Sequence, residues 1–176
     1  PDLRVRIIPN IHPLKLSDQS PDKNTLIFLG GFSHDPNIDA VLYFCKDVLP
    51  FIRREVPNIQ VNIVGSHPPR QIEELKSEFI NVTGYVPSTT PYLHSSYVSV
   101  APLRYGSGMK GKIGEAMAHG VPVVTTAVGA QGMGLVSREN VMLADSAEGF
   151  ASAVVELFRN ENLYRTIRKN AVEYIS

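Results

Sequence analysis

A glycine-rich, positively charged stretch followed by a glutamate lies in the middle of the chain. It runs from Pro102 to Thr126 and reads PLRYGSGMKGKIGEAMAHGVPVVTT. Lys110 and Lys112 lie at the start of a predicted helix, where the first amides have no partner within the helix and the helix dipole is positive. This arrangement attracts phosphate, and the two lysines add full charges to a dipole that is weak by itself. The residue types therefore predict a phosphate site.

Glu115 follows Lys112 by one turn of the same predicted helix. At about 100° per residue, Ile113 and Ala116 lie on the side that faces the rest of the fold. Lys112, Glu115 and His119 share a neighbouring side. A carboxylate only accepts hydrogen bonds, so Glu115 suits two adjacent hydroxyls such as those of a ribose. A plainer interpretation stays open, in which both lysines are solvated and Glu115 pairs with Lys112.

Composition and missing motifs narrow the function classes. The formal net charge is zero and the aromatic residues are not interleaved with basic ones, which argues against a nucleic-acid partner. Neither G-x-x-x-x-G-K-[ST] nor a G-x-G-x-x-G after the first buried strand is present, which disfavours a P-loop enzyme or a dehydrogenase. The five histidines lack metal-ligand spacing, so we predict no metal site. No apolar run is as long as a transmembrane segment.

Short apolar runs alternate with amphipathic segments along the chain. We predict strands at 25–31, 59–65, 80–86, 97–103, 121–126 and 141–145. Helices are predicted at 36–57 with a break at Pro50, and at 69–79, 88–96, 109–120, 146–160 and 161–176, and a loop at 127–140. Strands that are apolar throughout are buried on both faces. The pattern predicts an α/β fold, a doubly wound parallel six-stranded Rossmann-like sheet with helices on both faces.

The chain divides into two unequal parts. Residues 1–20 read as an entry strand and linker from a missing N-terminal domain, and residues 21–176 as the Rossmann-like domain. The chain begins at Pro1 without an initiator Met, so we expect it to be part of a longer protein. In a doubly wound sheet, ligands bind beyond the carboxyl ends of the strands. The loops that follow the strands, including 102–112, should therefore meet at one edge.

Several segments resemble one enzyme family. The segment PLRYGSGMKGKIGEAMAHGVPVVTTAVGAQGM resembles the nucleotide-sugar-binding segment of retaining glycosyltransferases of family 4 (group 1), which have the GT-B architecture. Residues 28–68 and 82–103 are similar to the first βαβ unit and the middle of that family's C-terminal domain. VRIIPN, at 5–10, is similar to the segment that enters it. The most specific part is the EAMAxGxPVV run coupled to the preceding G-S-G-x-K-x-K.

The resemblance implies a function. This chain would be the donor-binding half of a hexosyltransferase-type enzyme that moves a sugar from a nucleoside diphosphate, UDP or GDP, with retention and without metal or cofactor. A glycan, a lipid-linked molecule or a small acceptor would bind through the missing N-terminal domain. The chain alone would be monomeric and inactive, with no certain catalytic residue in this half. The full-length protein would be cytoplasmic, or peripheral at the inner membrane face.

The resemblance also implies roles for individual residues. Glu115 would hold the ribose hydroxyls, and Lys110 and Lys112 would neutralise the diphosphate. The glycines after the first strand would let the backbone approach the phosphates, and the residues after the third predicted strand would lie beside the base. The other donor-site residues that we predict are Gly30, Gly31, Gly84, Tyr85, Val86, Arg104, Ser107 and Gly108.

Two departures from the family pattern leave alternatives open. Ser107 stands where many members carry a second glutamate near the donor sugar, and the loop 30–37 lacks the usual Arg and Lys. The domain could therefore be a catalytically lapsed module that serves structure or protein binding. A different nucleotide-sugar enzyme, such as a 2-epimerase, is a weaker alternative, because this half shows no evident pair of acid and base groups.

Overall fold

The fold is a single six-stranded sheet flanked by helices. A computed structural model describes residues 12–108 and 110–176, so the strand predicted within residues 1–11 lies outside the described part. The strands are β1 (Asp22–Leu29), β2 (Gln60–Val64), β3 (Ile80–Gly84), β4 (Ser96–Ala101), β5 (Val123–Thr125) and β6 (Met142–Leu143). The helices are α1 (Asp35–Tyr43), α2 (Leu49–Glu55), α3 (Arg70–Glu73), α4 (Thr90–Ser95), α5 (Gly111–Ala118), α6 (Ala127–Ala130), α7 (Ala147–Arg159) and α8 (Glu161–Ile175).

All paired strands are parallel, in the order β3-β2-β1-β4-β5-β6. The predicted doubly wound α/β sheet of six parallel strands is thus confirmed. The chain moves outward from β1 to β3 on one side, then returns to place β4 on the other side of β1. The loops after β1 and β4 consequently diverge and leave a crevice at the carboxyl ends of these strands, the usual ligand position in such sheets.

Both faces of the sheet are buried, which explains the continuous apolar runs. Along β1, Leu26 and Phe28 belong to one core cluster, and Ile27 and Leu29 to the other. This split follows from the two-residue period of a strand. The first cluster extends to α1, α2, α7 and the first half of α8, whereas the second packs against α4, α5 and the second half of α8. Ile113, Ala116 and Met117 of α5 belong to the second cluster, as the helix periodicity predicts.

The largest difference from the predicted elements lies in the helix expected at 36–57. A break is present, but it is a π-helical turn at Phe44–Val48, just upstream of Pro50. Pro50 itself sits in the first turn of α2, where its missing N–H leaves no hydrogen bond unmade. The strain that a mid-helix proline would cause is therefore absorbed by the wider turn before it.

Two other predicted elements differ from the structure. The helix expected at 69–79 is confined to α3, and the residues after it form turns that lead into β3. The loop expected at 127–140 begins with the short helix α6, because the Thr126 hydroxyl caps it by accepting a hydrogen bond from Gly129 N at 3.0 Å. Helix α7 begins in the same way, with Ser146 Oγ accepting from Gly149 N at 3.1 Å.

The start of the described chain lies against the domain. Lys15 N donates to the Ala118 carbonyl at 2.9 Å, and His94 Nε2 lies 2.8 Å from the Lys15 carbonyl oxygen. These contacts hold the predicted linker beside the end of α5. Among residues 12–108 and 110–176, no helix has the length and hydropathy needed to cross a membrane.

Candidate functional site

A cleft of about 480 Å³ lies at the carboxyl ends of β1, β2 and β3, beside the first turn of α5. It occupies the crevice that the strand order creates. Six of the predicted donor-site residues line it: Gly30, Gly31, Tyr85, Val86, Lys112 and Glu115. The remaining lining residues are His12, Leu29, Asn37, Val64, Gly65, Ser66, Thr89 and Gly111.

Lys112 is the half-buried cation that lines this cleft. Its Nζ lies 4.8 Å from the centre of the Phe28 ring and donates a hydrogen bond to the side-chain oxygen of Asn37. Within the part of the chain that the structure describes, Lys112 forms no ion pair with a carboxylate. Burial, together with the positive charge of Lys110, lowers the pKa of Lys112 to about 8. A bound anion would offset both effects.

Lys110 lies next to this site but does not line the cleft. It is buried, precedes the first residue of α5 and donates from Nζ to the Gly108 carbonyl at 2.7 Å. Gly108 has a φ of +78°, a conformation that glycine adopts without strain. The lysine thereby closes the loop before the helix, and its charge raises the positive potential around Lys112. Ser107 also lies in this loop, outside the cleft lining.

Glu115 lies on the cleft side of α5 and is half-buried. Thr89 Oγ1 donates to Glu115 Oε1 at 2.5 Å, which orients the carboxylate. The anticipated pair between Lys112 and Glu115 is absent from the ion pairs of the described residues. His119 meets the backbone rather than this carboxylate, with Nδ1 2.9 Å from the Glu115 carbonyl oxygen. His119 therefore interacts with the C-terminal end of α5. Burial lowers the pKa of its imidazole.

Glycines form the cleft wall opposite α5, because side chains at these positions would collide with neighbouring atoms or narrow the cleft. A Cβ at Gly30 would lie 2.9 Å from Lys112 Nζ and equally close to Asn37. A Cβ at Gly65 would lie 2.0 Å from the Gly30 carbonyl oxygen, which leaves no room for any side chain. At Gly31 the nearest atom would be Ser66 Oγ at 3.3 Å. The backbone of the β1 and β2 loops therefore lines the cleft directly.

The loop after β3 forms the rim. Gly84 has a φ of +71° and turns the chain, without lining the cleft itself. The Tyr85 side chain is 76% exposed at the mouth of the cleft, and Val86 lines it. A ring this exposed offers a flat apolar face to a ligand that enters from solvent.

Arg104 lies outside the cleft lining. Its Nε donates to Asp39 Oδ2 at 2.9 Å, and its guanidinium lies 4.8 Å from the centre of the Tyr43 ring. The hydrogen bond and charge of Asp39 raise the pKa of Arg104. Arg104 is therefore a neutralised surface cation, in contrast to Lys112. A contact between Arg104 and a donor stays a prediction. The same holds for Ser107, Gly108 and Lys110.

Sequence reasoning missed four polar cleft residues: His12, Asn37, Ser66 and Thr89. Ser66 belongs to a loop that the sequence already places at the ligand edge, so its position after a buried strand was a usable signal. His12 packs over α5, where a Cβ at Gly114 would lie 2.6 Å from its ring. Asn37 and Thr89 end the loops 30–37 and 84–89, which also follow buried strands. Their hydrogen bonds to α5 gave no signal, because the partners are 75 and 26 residues away.

A family comparison decides what kind of domain holds this cleft. Residues 23–160 match the family model described as Glycosyl transferases group 1. The chain belongs to this family. The match runs from the second residue of β1 through α7, including every described segment that lines the cleft except His12. It confirms the group 1 glycosyltransferase family that the sequence resembles.

One curated relative of this chain is a protein from a bacterium. The chain is 26% identical over 177 residues to this protein of Klebsiella pneumoniae, described as an uncharacterized 44.6 kDa protein in the cps region, and the match covers 96% of this chain and 46% of that protein. The chain thus spans about half the length of this curated relative.

Two solved structures share its fold. The C-terminal domain of LpcC, a glycosyl transferase group 1 family protein from Francisella tularensis, has a TM-score of 0.73 and 19% identity, with 88% of this chain and 85% of that chain covered. A mutant of S. aureus TarM, crystallised with fondaparinux, α-GlcNAc-glycerol and UDP, has a TM-score of 0.78 and 16% identity. There the match covers 95% of this chain and 34% of the other.

Proposed function

We propose that this chain is the donor-binding domain of a retaining glycosyltransferase that uses a nucleoside-diphosphate sugar. The observation that carries the proposal is Lys112, a half-buried cation at the cleft where α5 begins, which has no carboxylate partner among the residues that the structure describes. Removing a charge from water is costly unless a partner compensates for it. A diphosphate is such a partner.

The proposed pose follows the cleft from one side to the other. The diphosphate lies between the Gly30–Gly31 backbone and Lys112, with Lys110 adding charge from behind. The two oxygens of Glu115 accept hydrogen bonds from the ribose hydroxyls, while Thr89 keeps the carboxylate in place. The base lies against Tyr85 and Val86 at the rim, where backbone groups after Gly84 are within its reach.

Lys112 also has a role in the reaction. Transfer breaks the bond between the anomeric carbon of the sugar and the diphosphate oxygen, so negative charge develops on the leaving diphosphate. A fixed ammonium at this oxygen stabilises that charge without reorganisation. The acidic and basic groups that complete a retaining transfer are proposed to lie in the other half of the enzyme.

The nucleotide is proposed to be UDP. The structural neighbour TarM was crystallised with UDP together with sugar-containing molecules. GDP is the second choice. The acceptor, a glycan, a lipid-linked molecule or a small molecule, is proposed to bind to a preceding domain, with the boundary near residue 20. In this view the 176-residue chain is a monomer that binds donor but transfers no sugar, and the whole enzyme works in the cytoplasm or at the inner membrane face.

Calorimetry on the folded chain tests this proposal. Titrations with UDP, GDP and ADP and with their sugar derivatives should show binding by at least one diphosphate and much weaker binding by the matching nucleoside. Absence of heat with every nucleotide at millimolar concentration would refute the proposal. Sugar release by this chain alone would contradict the assignment of the acceptor half to a preceding domain.

A lapsed binding module is the second candidate, and Ser107 favours it. A serine in the loop before α5 cannot supply the carboxylate that many relatives place near the donor sugar. The two proposals differ in the activity of the full-length protein. Donor hydrolysis or transfer with a panel of nucleotide sugars supports the enzyme, whereas nucleotide binding without turnover of any donor supports the lapsed module.

A further inference from the structure

Asn37 joins three chain segments at the cleft. It lies in the first turn of α1 and only 7% of it is exposed. Its Nδ2 donates to the Gly31 carbonyl at 2.7 Å, and its Oδ1 accepts from Lys112 Nζ. The two partners fix the orientation of the amide, because one end must donate and the other must accept. Asn37 therefore ties the loop after β1 to the first turn of α5.

The amide is the chemical group that this position requires. An aspartate would accept from Lys112 equally well, but it would neutralise the ammonium and repel the Gly31 carbonyl oxygen. Asn37 accepts from Lys112 as a neutral group and leaves the positive charge available. A carboxylate would also meet any bound phosphate with repulsion.

None of the charged groups described around Lys112 replaces Asn37 as its hydrogen-bond acceptor. Lys110, before α5, is positive and acts against the Lys112 charge. Glu115, one turn along α5, is bonded to Thr89. Asp39 of α1 is paired with Arg104. On β1, Lys112 faces the Phe28 ring. Other titratable groups of the described cleft lining and of α1 are His12 and Tyr85, which line the cleft, His34 at the N-cap of α1, and Asp35 and Tyr43 of α1.

We propose that Asn37 is the positioning residue of the donor site: its amide holds Lys112 Nζ and the Gly31 carbonyl in fixed relation, so that the ammonium and the glycine backbone grip one diphosphate together. Asn37 acts through these two partners and contacts no reacting atom. The proposal rests on the proposed function, since the diphosphate is the ligand that the arrangement serves.

Asn37→Asp tests the proposal, with Asn170→Asp as the matched control. Asn170 is half-buried, donates from Nδ2 to the Glu139 carbonyl at 2.9 Å and lies on α8, outside the cleft lining. Both variants add one negative charge and remove one bond from an amide to a carbonyl. Asn37→Asp should weaken UDP binding at pH 7 about 10- to 100-fold. The control should change it by less than about twofold.

The titration of Lys112, followed by NMR in the chain without nucleotide, separates positioning from general stability. The midpoint should rise by about 1–3 pH units in Asn37→Asp, because a carboxylate favours the charged ammonium. Asn170→Asp should leave it unchanged. Equal midpoints and equal UDP affinities in the two variants would overturn the role of Asn37. A raised midpoint in a chain that binds no nucleoside diphosphate would retain Asn37 as the partner of Lys112 and overturn the proposed function.

A second measurement needs no substitution at Asn37. In the unsubstituted chain, the side-chain amide signals of Asn37 should shift with the same midpoint as Lys112, and this shift should vanish in Lys112→Met. Amide signals that are insensitive to pH across the Lys112 titration would overturn the proposal, even if Asn37→Asp fails to fold.

Discussion

The molecule has two clefts of nearly equal size that differ in how their charges are paired. The cleft beside α5 measures about 480 Å³, and a groove between α2 and α7 measures about 500 Å³. In the α2–α7 groove, Arg159 pairs with Glu55 at 2.5 Å and Glu156 pairs with Arg138 at 2.7 Å. In the cleft beside α5, Lys112 has an amide as its partner.

The difference shows that volume does not identify the binding site. The ion pairs of the α2–α7 groove are exposed, and the paired charges cancel one another. Arg54 also lines that groove, but it is exposed to water and lies over the Phe51 ring, whereas Lys112 is half-buried. A half-buried cation that is held by a neutral amide keeps its charge, and an arriving anion stabilises it. The positions of the two clefts support the same conclusion. Of the two, the cleft beside α5 lies at the carboxyl ends of strands, where doubly wound sheets bind ligands.

The largest expected effect comes from removing the unpaired charge. Lys112→Met should weaken UDP binding by about 1.5–3 kcal/mol, the cost of a lost hydrogen bond to a charged group. Arg159→Met, in the α2–α7 groove, is the matched control and should leave the affinity unchanged. Calorimetry on both variants checks the comparison. Equal affinities would mean that the two regions do not differ as ligand sites.

The next effect concerns the ribose. Glu115→Gln should weaken UDP binding about tenfold, because a charged acceptor is replaced by a neutral amide. The same substitution should change binding of the 2′-deoxy nucleotide much less, since one of the two hydroxyls is already missing. Comparing the two ligands by calorimetry isolates this contact. If both ligands lose affinity equally, Glu115 acts on the cleft structure and not on the ribose.

How much of this site can be predicted from the sequence depends on how far apart along the chain the contacting residues lie. Lys112 and Glu115 are three residues apart on one helix, so their types and spacing predict that they share a side of it. The spacing left a surface pair open, and the family resemblance favoured the ligand site. Asn37 and Thr89, which orient these two side chains, come from segments 75 and 26 residues away and are visible only once the chain is folded. The break near Pro50 was predicted from the proline itself, but its form, a π-helical turn at Phe44–Val48, is seen only in the structure.

A smaller effect is expected from pH. Lys112 has a pKa of about 8, so the free ammonium is lost as pH rises through that value. UDP affinity should therefore fall about fourfold between pH 7 and pH 8.5, as the protonated fraction decreases. Folding stability should change in the opposite direction: above pH 8 the folded chain binds fewer protons at this lysine than the unfolded chain does, so stability rises until the unfolded lysine also titrates.

Calorimetry between pH 7 and pH 8.5 checks the predicted fall in UDP affinity, and thermal denaturation over the same pH range checks the predicted rise in stability. Lys112→Met should lose the alkaline decline in affinity as well as the lysine's share of the rise in stability. A decline that persists in this variant would assign the titration to another group.

The smallest effect is expected at Arg104. Asp39 already neutralises this arginine, and its side chain is 51% exposed. Arg104→Met should therefore weaken UDP binding by less than about threefold and destabilise the fold by less than about 1 kcal/mol. A loss comparable to that of Lys112→Met would show that the ion pair opens to meet the ligand, and that pairing in the free chain does not predict which cations bind.

The most direct test of the account is to map UDP onto the ¹⁵N-labelled chain by NMR chemical-shift perturbation. We predict that the largest shifts fall on Gly30, Gly31, Lys112 and Glu115, and that the signals of Arg54, Ser152 and Arg159 in the α2–α7 groove stay in place. The account is contradicted if UDP shifts the α2–α7 groove instead, or if no signal of the folded chain moves at millimolar UDP.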